Sequence, residues 1–117
     1  MRPATHAIQG LYPILDGGLL KTEEMPEAAR RCASSGVKQV QVRLKNLPDS
    51  VRVQTHDAVA EALEGTDALV VVNDRADLAK ILLDREVDGV RVGLHLGQDD
   101  LCPRRARDLV GLSLIHI

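Results

Sequence analysis

Aromatic residues are nearly absent from this chain. Tyr12 stands alone, without Trp or Phe, which disfavours recognition of bases or sugars by stacking on aromatic platforms. Cysteine is scarce too: Cys32 and Cys102 are too few and too far apart for a disulfide framework or a metal knuckle. The longest apolar run, residues 68–72, falls far short of a bilayer span. The first ten residues lack the apolar stretch of a secretory leader. These absences predict a cytoplasmic chain with no membrane partner. Charge of one sign is not in excess either. The 15 Lys+Arg face 17 Asp+Glu, a formal net of −2, so nothing electrostatic points to nucleic acid.

What is present is an alternation. The 117 residues are 44% hydrophobic, enough to bury a core, and its volume must come from Val, Leu, Ile and Ala. Residues 11–16 read as a short strand before the Gly17–Gly18 turn. Met25, Ala28, Ala29, Cys32 and Ala33 recur at helical spacing up to Gly36. Residues 37–45 read as a second strand and 51–63 as a second helix, entered through Pro48, Asp49 and Ser50 and stopped at Gly65. The apolar run 68–72 is a third strand, and Leu78, Ala79, Ile81 and Leu82 mark a third helix. A fourth strand over 88–97, a fourth helix over 103–110 and a fifth strand over 111–117 complete the order.

No linker, low-complexity tract or charge block interrupts it, which predicts one domain over 1–117. Strands and helices alternating through short connections imply right-handed parallel crossovers and an α/β layer fold. Two architectures fit: a five-stranded doubly wound sheet, or the first part of a (β/α)8 barrel.

The second strand carries the most chemistry. Gln39, Gln41, Arg43 and Lys45 alternate with Val40, Val42 and Leu44, so period two puts the polar set on one face. A parallel sheet covered by helices should be apolar on both faces. Either this is an edge strand with one solvated face, or it is a cationic wall at the carboxyl end of a barrel strand. In the second case Arg and Lys suit phosphate or pyrophosphate.

Asn73–Asp74 follows the third strand and Asp99–Asp100 the fourth, where ligands of parallel α/β folds gather. Carboxylates delivered there could hold Mg2+; helix capping is the commoner role of each Asp taken singly. His95 is a weaker ligand candidate, since buried, hydrogen-bonded histidines are frequent. His6 and His56 receive no role. Cys102 has no His near it in sequence, which disfavours a thiol nucleophile. No phosphate-binding Gly-rich loop occurs, and Gly17–Gly18 is an ordinary turn.

These strings together resemble thiamine-phosphate synthase. Gln41-Val42-Arg43-Leu44-Lys45-Asn46 is similar to its Q-[LF]-R-x-K signature, Val72-Asn73-Asp74-Arg75 to its V-N-D-R segment, and His95-Leu96-Gly97-Gln98-Asp99-Asp100-Leu101 to its H-[LI]-G-Q-[ED]-D-L segment. Gly10-Leu11-Tyr12-Pro13 and Gly111-Leu112-Ser113 fit its first and fifth strands. Order and spacing agree over essentially the whole chain.

The resemblance implies a (β/α)8 barrel that joins 4-amino-2-methyl-5-hydroxymethylpyrimidine diphosphate to thiazole phosphate, giving thiamine phosphate and pyrophosphate. By that likeness Gln41, Arg43 and Lys45 hold the diphosphate with Asn73 beside it, Asp74 and Asp100 bind Mg2+, and Ser113 lies near the pyrimidine. No protein nucleophile is then required.

The chain departs from the family pattern in three places. Arg91-Val92-Gly93-Leu94 intervenes between Val90 and His95, so either the fourth strand begins later or a loop is longer. Ser113 is followed by Leu114-Ile115-His116-Ile117, and no role passes to His116. The last three barrel strands are missing, with the Lys-bearing loop and Gly-rich sites for the thiazole phosphate.

The expectation is an amino-terminal portion of the barrel: inactive alone, with an uncovered interior and open edges that favour self-association. The rivals are a non-catalytic phosphate-binding half-barrel module and a thiazole tautomerase-like relative. Such relatives typically lack the N-D and G-Q-x-D pair present here.

Overall fold

The computed structural model describes residues 10–84, 91–96, 104–105 and 113–116. Its elements run β1 (Ile14–Asp16), a 3-10 turn (Thr22–Glu24), α1 (Met25–Ser34), β2 (Gln39–Arg43), α2 (Asp49–Ala62), β3 (Leu69–Asn73), α3 (Ala76–Asp84), β4 (Arg91–Leu96) and β5 (Ser113–His116). All five strands are parallel neighbours in one sheet of order β1-β2-β3-β4-β5. A doubly wound sheet places its first strand in the interior. Sequential order is that of a (β/α)8 barrel's opening strands, and it decides between the two architectures.

Local chemistry sets the element ends. Pro26 enters α1 where its missing N–H is harmless. The helix leaves through a Schellman turn: the Gly36 amide donates to Ala33 O at 3.0 Å and the Val37 amide to Cys32 O at 3.1 Å. That turn requires the left-handed backbone of Gly36, at φ 92°. Pro48 caps α2 from an extended conformation.

The helices bury one face of the sheet. Leu15, Val40, Val42, Leu44, Val70, Val72, Val92, Leu94 and Leu96 form a core with Met25, Ala29, Val59, Leu63, Leu78, Ala79 and Leu82. α1 packs on α2, and α2 on α3.

Several expectations shift. β4 spans Arg91–Leu96, so the insertion at 91–94 is strand; residues 88–90, where the strand was expected to start, lie outside the described residues. β2 is no edge strand: it lies between β1 and β3. Nor is the opposite sheet face bare at the centre. Gln39 (0% exposed), Gln41 (2%), Leu69 (1%) and Val71 (0%) are all buried there. The segment before β1 contributes to this cover, since Gln39 Nε2 donates to Leu11 O at 2.5 Å and Gln41 Nε2 to the Tyr12 hydroxyl at 2.9 Å. Of the expected fourth helix, Arg104 and Arg105 are helical, and the rest lies outside the described residues.

Candidate active site

Strand register assembles the site. Parallel pairing aligns Ile14, Gln41, Val71, Gly93 and Ser113 in one row across the sheet. Two residues further along β1 to β4, the next row on that face is Asp16, Arg43, Asn73 and His95. Four polar residue types therefore stand side by side at the carboxyl ends of β1 to β4, opposite the helix-packed Leu15, Val42, Val72 and Leu94. Lys45 and Asp74 follow just beyond β2 and β3.

The charges are already paired. Arg43 Nη1 donates to Asp16 Oδ2 at 2.8 Å, and Lys45 Nζ to Asp74 Oδ2 at 2.5 Å. Asp16 takes a second bond through Oδ1 from the Gly18 amide at 2.8 Å. The Gly18 amide and then the Arg43 guanidinium hold the Asp16 carboxyl below the usual carboxylate range. Asp74 occupies a left-handed backbone conformation, φ 66°, and its amide donates to His95 O at 2.7 Å, which ties the end of β3 to β4. α3 starts at Ala76, so Asp74 lies one residue too early to be its N-cap.

His95 Nδ1 is 3.5 Å from Asn73 Oδ1, at the limit of a hydrogen bond. Its Nε2 is buried with no hydrogen-bond partner among the described residues. Gln41 lies one row deeper, bound to Tyr12, whose phenol is pushed up by burial and only partly brought back by the Gln41 amide. Ser113 pairs through its backbone with Gly93 in that same row. Asp100 falls outside the described residues.

Arg75 explains why the β3–α3 turn is held. Its Nε and Nη2 donate to the two Asp77 oxygens at 2.9 and 2.7 Å, and Nη1 donates to Asp49 Oδ1 at 3.0 Å. One guanidinium thus clamps the starts of α2 and α3 beside Asp74. Both carboxyls are held below their ordinary range, chiefly by the Arg75 hydrogen bonds.

Sequence reasoning brought Gln41, Arg43, Lys45, Asn73 and Asp74 to this end of the sheet, and the structure places them there. It missed Asp16, Tyr12 and the Arg75 clamp. The one available signal for Asp16 was its position at the end of the first strand, the counterpart of Arg43 on the second.

The donor chemistry fits Mg2+ in a limited sense. Among the described residues no group of three His, Cys, Asp or Glu side chains gathers into a cage. Mg2+ needs only one or two carboxylates when waters and phosphate oxygens supply the rest, and Asp74 offers a hard oxygen at the strand ends. Among the described residues no helix is long and apolar enough to cross a membrane.

Comparison with known proteins identifies the family. A family model described as thiamine monophosphate synthase matches residues 11–115. A thiamine-phosphate synthase from Synechococcus sp. (strain WH7803) is 40% identical over 99 residues, covering 85% of this chain and 25% of that protein. One from Solidesulfovibrio magneticus is 35% identical over 101 residues, covering 86% and 44%. The solved thiamine phosphate pyrophosphorylase from Pyrococcus furiosus aligns with a TM-score of 0.69 at 27% identity, over 90% of this chain and 48% of that one. The chain thus spans between a quarter and a half of the length of these relatives. With the family model matching residues 11–115, nearly the whole sequence, the chain belongs to the thiamine monophosphate synthase family.

Proposed function

We propose that this chain carries the diphosphate-binding half of a thiamine-phosphate synthase site. The reaction joins 4-amino-2-methyl-5-hydroxymethylpyrimidine diphosphate to thiazole phosphate. The bond from the hydroxymethyl carbon to the diphosphate oxygen breaks, pyrophosphate leaves with the electron pair, and the thiazole nitrogen forms a new bond to that carbon. The pyrimidine ring can delocalise positive charge on the carbon, so no protein nucleophile is needed.

The observation that carries this reading is the juxtaposition of Arg43 and Lys45 with Asn73 and Asp74 at one end of the sheet. Arg43 and Lys45, with Asn73 beside them, bind the diphosphate oxygens and steady the charge that builds on the leaving group. Gln41 supports that wall from the row beneath, and Ser113 lies near the pyrimidine. Asp74 and Asp100 would hold Mg2+. When bound, the ion neutralises diphosphate charge as a Lewis acid. Lys45, paired with Asp74 here, adds a point charge to the phosphate-binding wall.

Calorimetric titration of the chain with pyrophosphate in Mg2+ tests the reading. Each lost charge-assisted contact should weaken binding by about 10- to 100-fold in Arg43→Ala and in Lys45→Ala. Affinities equal to wild type in both variants would refute it.

A further inference from the structure

We propose that Asp16 is a positioning residue for Arg43, presetting its guanidinium for anion capture; this rests on the reading of Arg43 as a diphosphate ligand. A carboxylate beside an anion site repels the anion, so its placement there requires a reason. The geometry supplies one. Asp16 is itself fixed, since Oδ1 accepts the Gly18 amide at 2.8 Å and the Asp16 carbonyl accepts the Leu19 and Leu20 amides, each at 2.9 Å. Pairing of β1 with β2 sets Asp16 against Arg43, and the Gly17 amide donates to Arg43 O at 3.0 Å. The turn after β1 is therefore a rigid block against the end of β2, and Oδ2 projects from it to Arg43 Nη1 at 2.8 Å.

The choice of nitrogen matters. In a guanidinium the Nε–H and Nη2–H bonds lie along one edge and grip two oxygens at once, while Nη1 lies off that edge. Arg75 demonstrates the grip in this same chain, where Nε and Nη2 hold the two Asp77 oxygens. Asp16 uses only Nη1 of Arg43 and leaves the Nε/Nη2 edge without a partner among the described residues. Arg43 is 43% exposed in its side chain against 23% for Asp16, so the carboxylate is the more sheltered anchor and the cation the more accessible group. A long side chain held in one rotamer has already lost the freedom that binding would otherwise remove.

The test turns on the sign of the effect. Removing a negative charge near an anion should tighten binding; removing a positioning group should weaken it. Pyrophosphate titration in Mg2+ is run on the 117-residue chain with Asp16→Ala and Asp16→Asn, each also made in an Arg43→Ala background. Asp16→Ala should bind pyrophosphate about three- to tenfold more weakly, the range for immobilising one rotamer-rich side chain. Asp16→Asn, whose single amide oxygen can accept from only one of the two partners at a time, should fall between it and wild type.

In the Arg43→Ala background Asp16→Ala should cause no further loss. Without any ligand, 15N spectra should show slowed rotation of the Arg43 Nη groups in wild type and its loss in Asp16→Ala. If Asp16→Ala does not melt cooperatively, Asp16→Asn carries the comparison. Unchanged or tighter binding in the Asp16 variants, with Arg43→Ala still weakened, overturns the positioning role and leaves the diphosphate reading standing. An equal loss in both backgrounds also overturns it, as a general structural effect. Wild-type affinity in Arg43→Ala overturns the positioning role together with the part of Arg43 in the diphosphate reading, and the same result in Lys45→Ala overturns that reading whole.

Discussion

Leu94→Ala tests whether the helix layer holds the strand that delivers His95. Leu94 is 0% exposed, pairs across the sheet with Val72 and belongs to the helix-side core, with Val92 and Leu96 on the same face of β4. Truncation removes three buried carbons and leaves a cavity that the flanking Val72 and Leu96 cannot close without moving strand backbone. Such losses run about 2–5 kcal/mol, and a packed strand surrounded on both sides belongs near the middle, about 3 kcal/mol. For a domain of this size each kcal/mol shifts the midpoint by roughly 4 °C, so the fall in Tm should be about 10–15 °C. The probe must be far-UV circular dichroism, because without Trp intrinsic fluorescence has only Tyr12 to report. Leu83→Ala, at a residue 37% exposed, serves as the control and should lose less than about 1 kcal/mol. A Leu94→Ala loss no larger than that of the control would refute the packing of helices against β4.

Burial lowers the His56 pKa, and its Nδ1 sits 2.6 Å from Arg52 O; the unfolded chain therefore binds the proton more readily, and stability should be whole above about pH 6.5 and fall as pH drops below it. A His56→Gln variant should flatten that part of the melt-versus-pH curve, and an unchanged slope would count against the buried neutral imidazole. Asp49 and Asp77 are depressed, so their contribution is present above about pH 4 and lost as pH falls further. Arg75→Met should raise both carboxyl pKa values towards ordinary Asp in a 13C NMR titration, and no movement would deny the clamp. Gly36→Ala meets no atom within 4 Å and so isolates the backbone cost at φ 92°; the melt should show a loss of about 1 kcal/mol, whereas a gain would contradict the left-handed turn.

Much of the fold was legible because period and punctuation agreed. Gly36 and Gly65 closed helices where the hydrophobic spacing ended, and both have positive φ. The unbroken apolar run before Asn73 became β3, an interior strand. What stayed open was whatever depends on neighbours. Alternation in β2 separated its two faces but could not tell a solvated edge from an interior strand, because both give period two. The answer came from pairing on both sides and from Leu11 and Tyr12 reaching Gln39 and Gln41. In β4 the described strand pairs Arg91 opposite Leu69, and the expected start at Asp88 lies outside the described residues.

In the site, Arg43, Lys45 and Asp74 were visible through residue type and position after strands. Asp16 was not, since an Asp before Gly-Gly reads equally well as a turn residue. Its ion pair with Arg43 spans 27 positions in sequence and exists only once β1 and β2 pair in register.

The most direct test of the site is a thermal melt by circular dichroism with and without Mg2+ and pyrophosphate together, on wild type and Asp74→Ala. A ligand at 100 times its dissociation constant adds about 2.7 kcal/mol to the folded state. The account predicts a midpoint raised by several degrees in wild type and a much smaller rise in Asp74→Ala. An unchanged wild-type midpoint at saturating Mg2+ and pyrophosphate would contradict it.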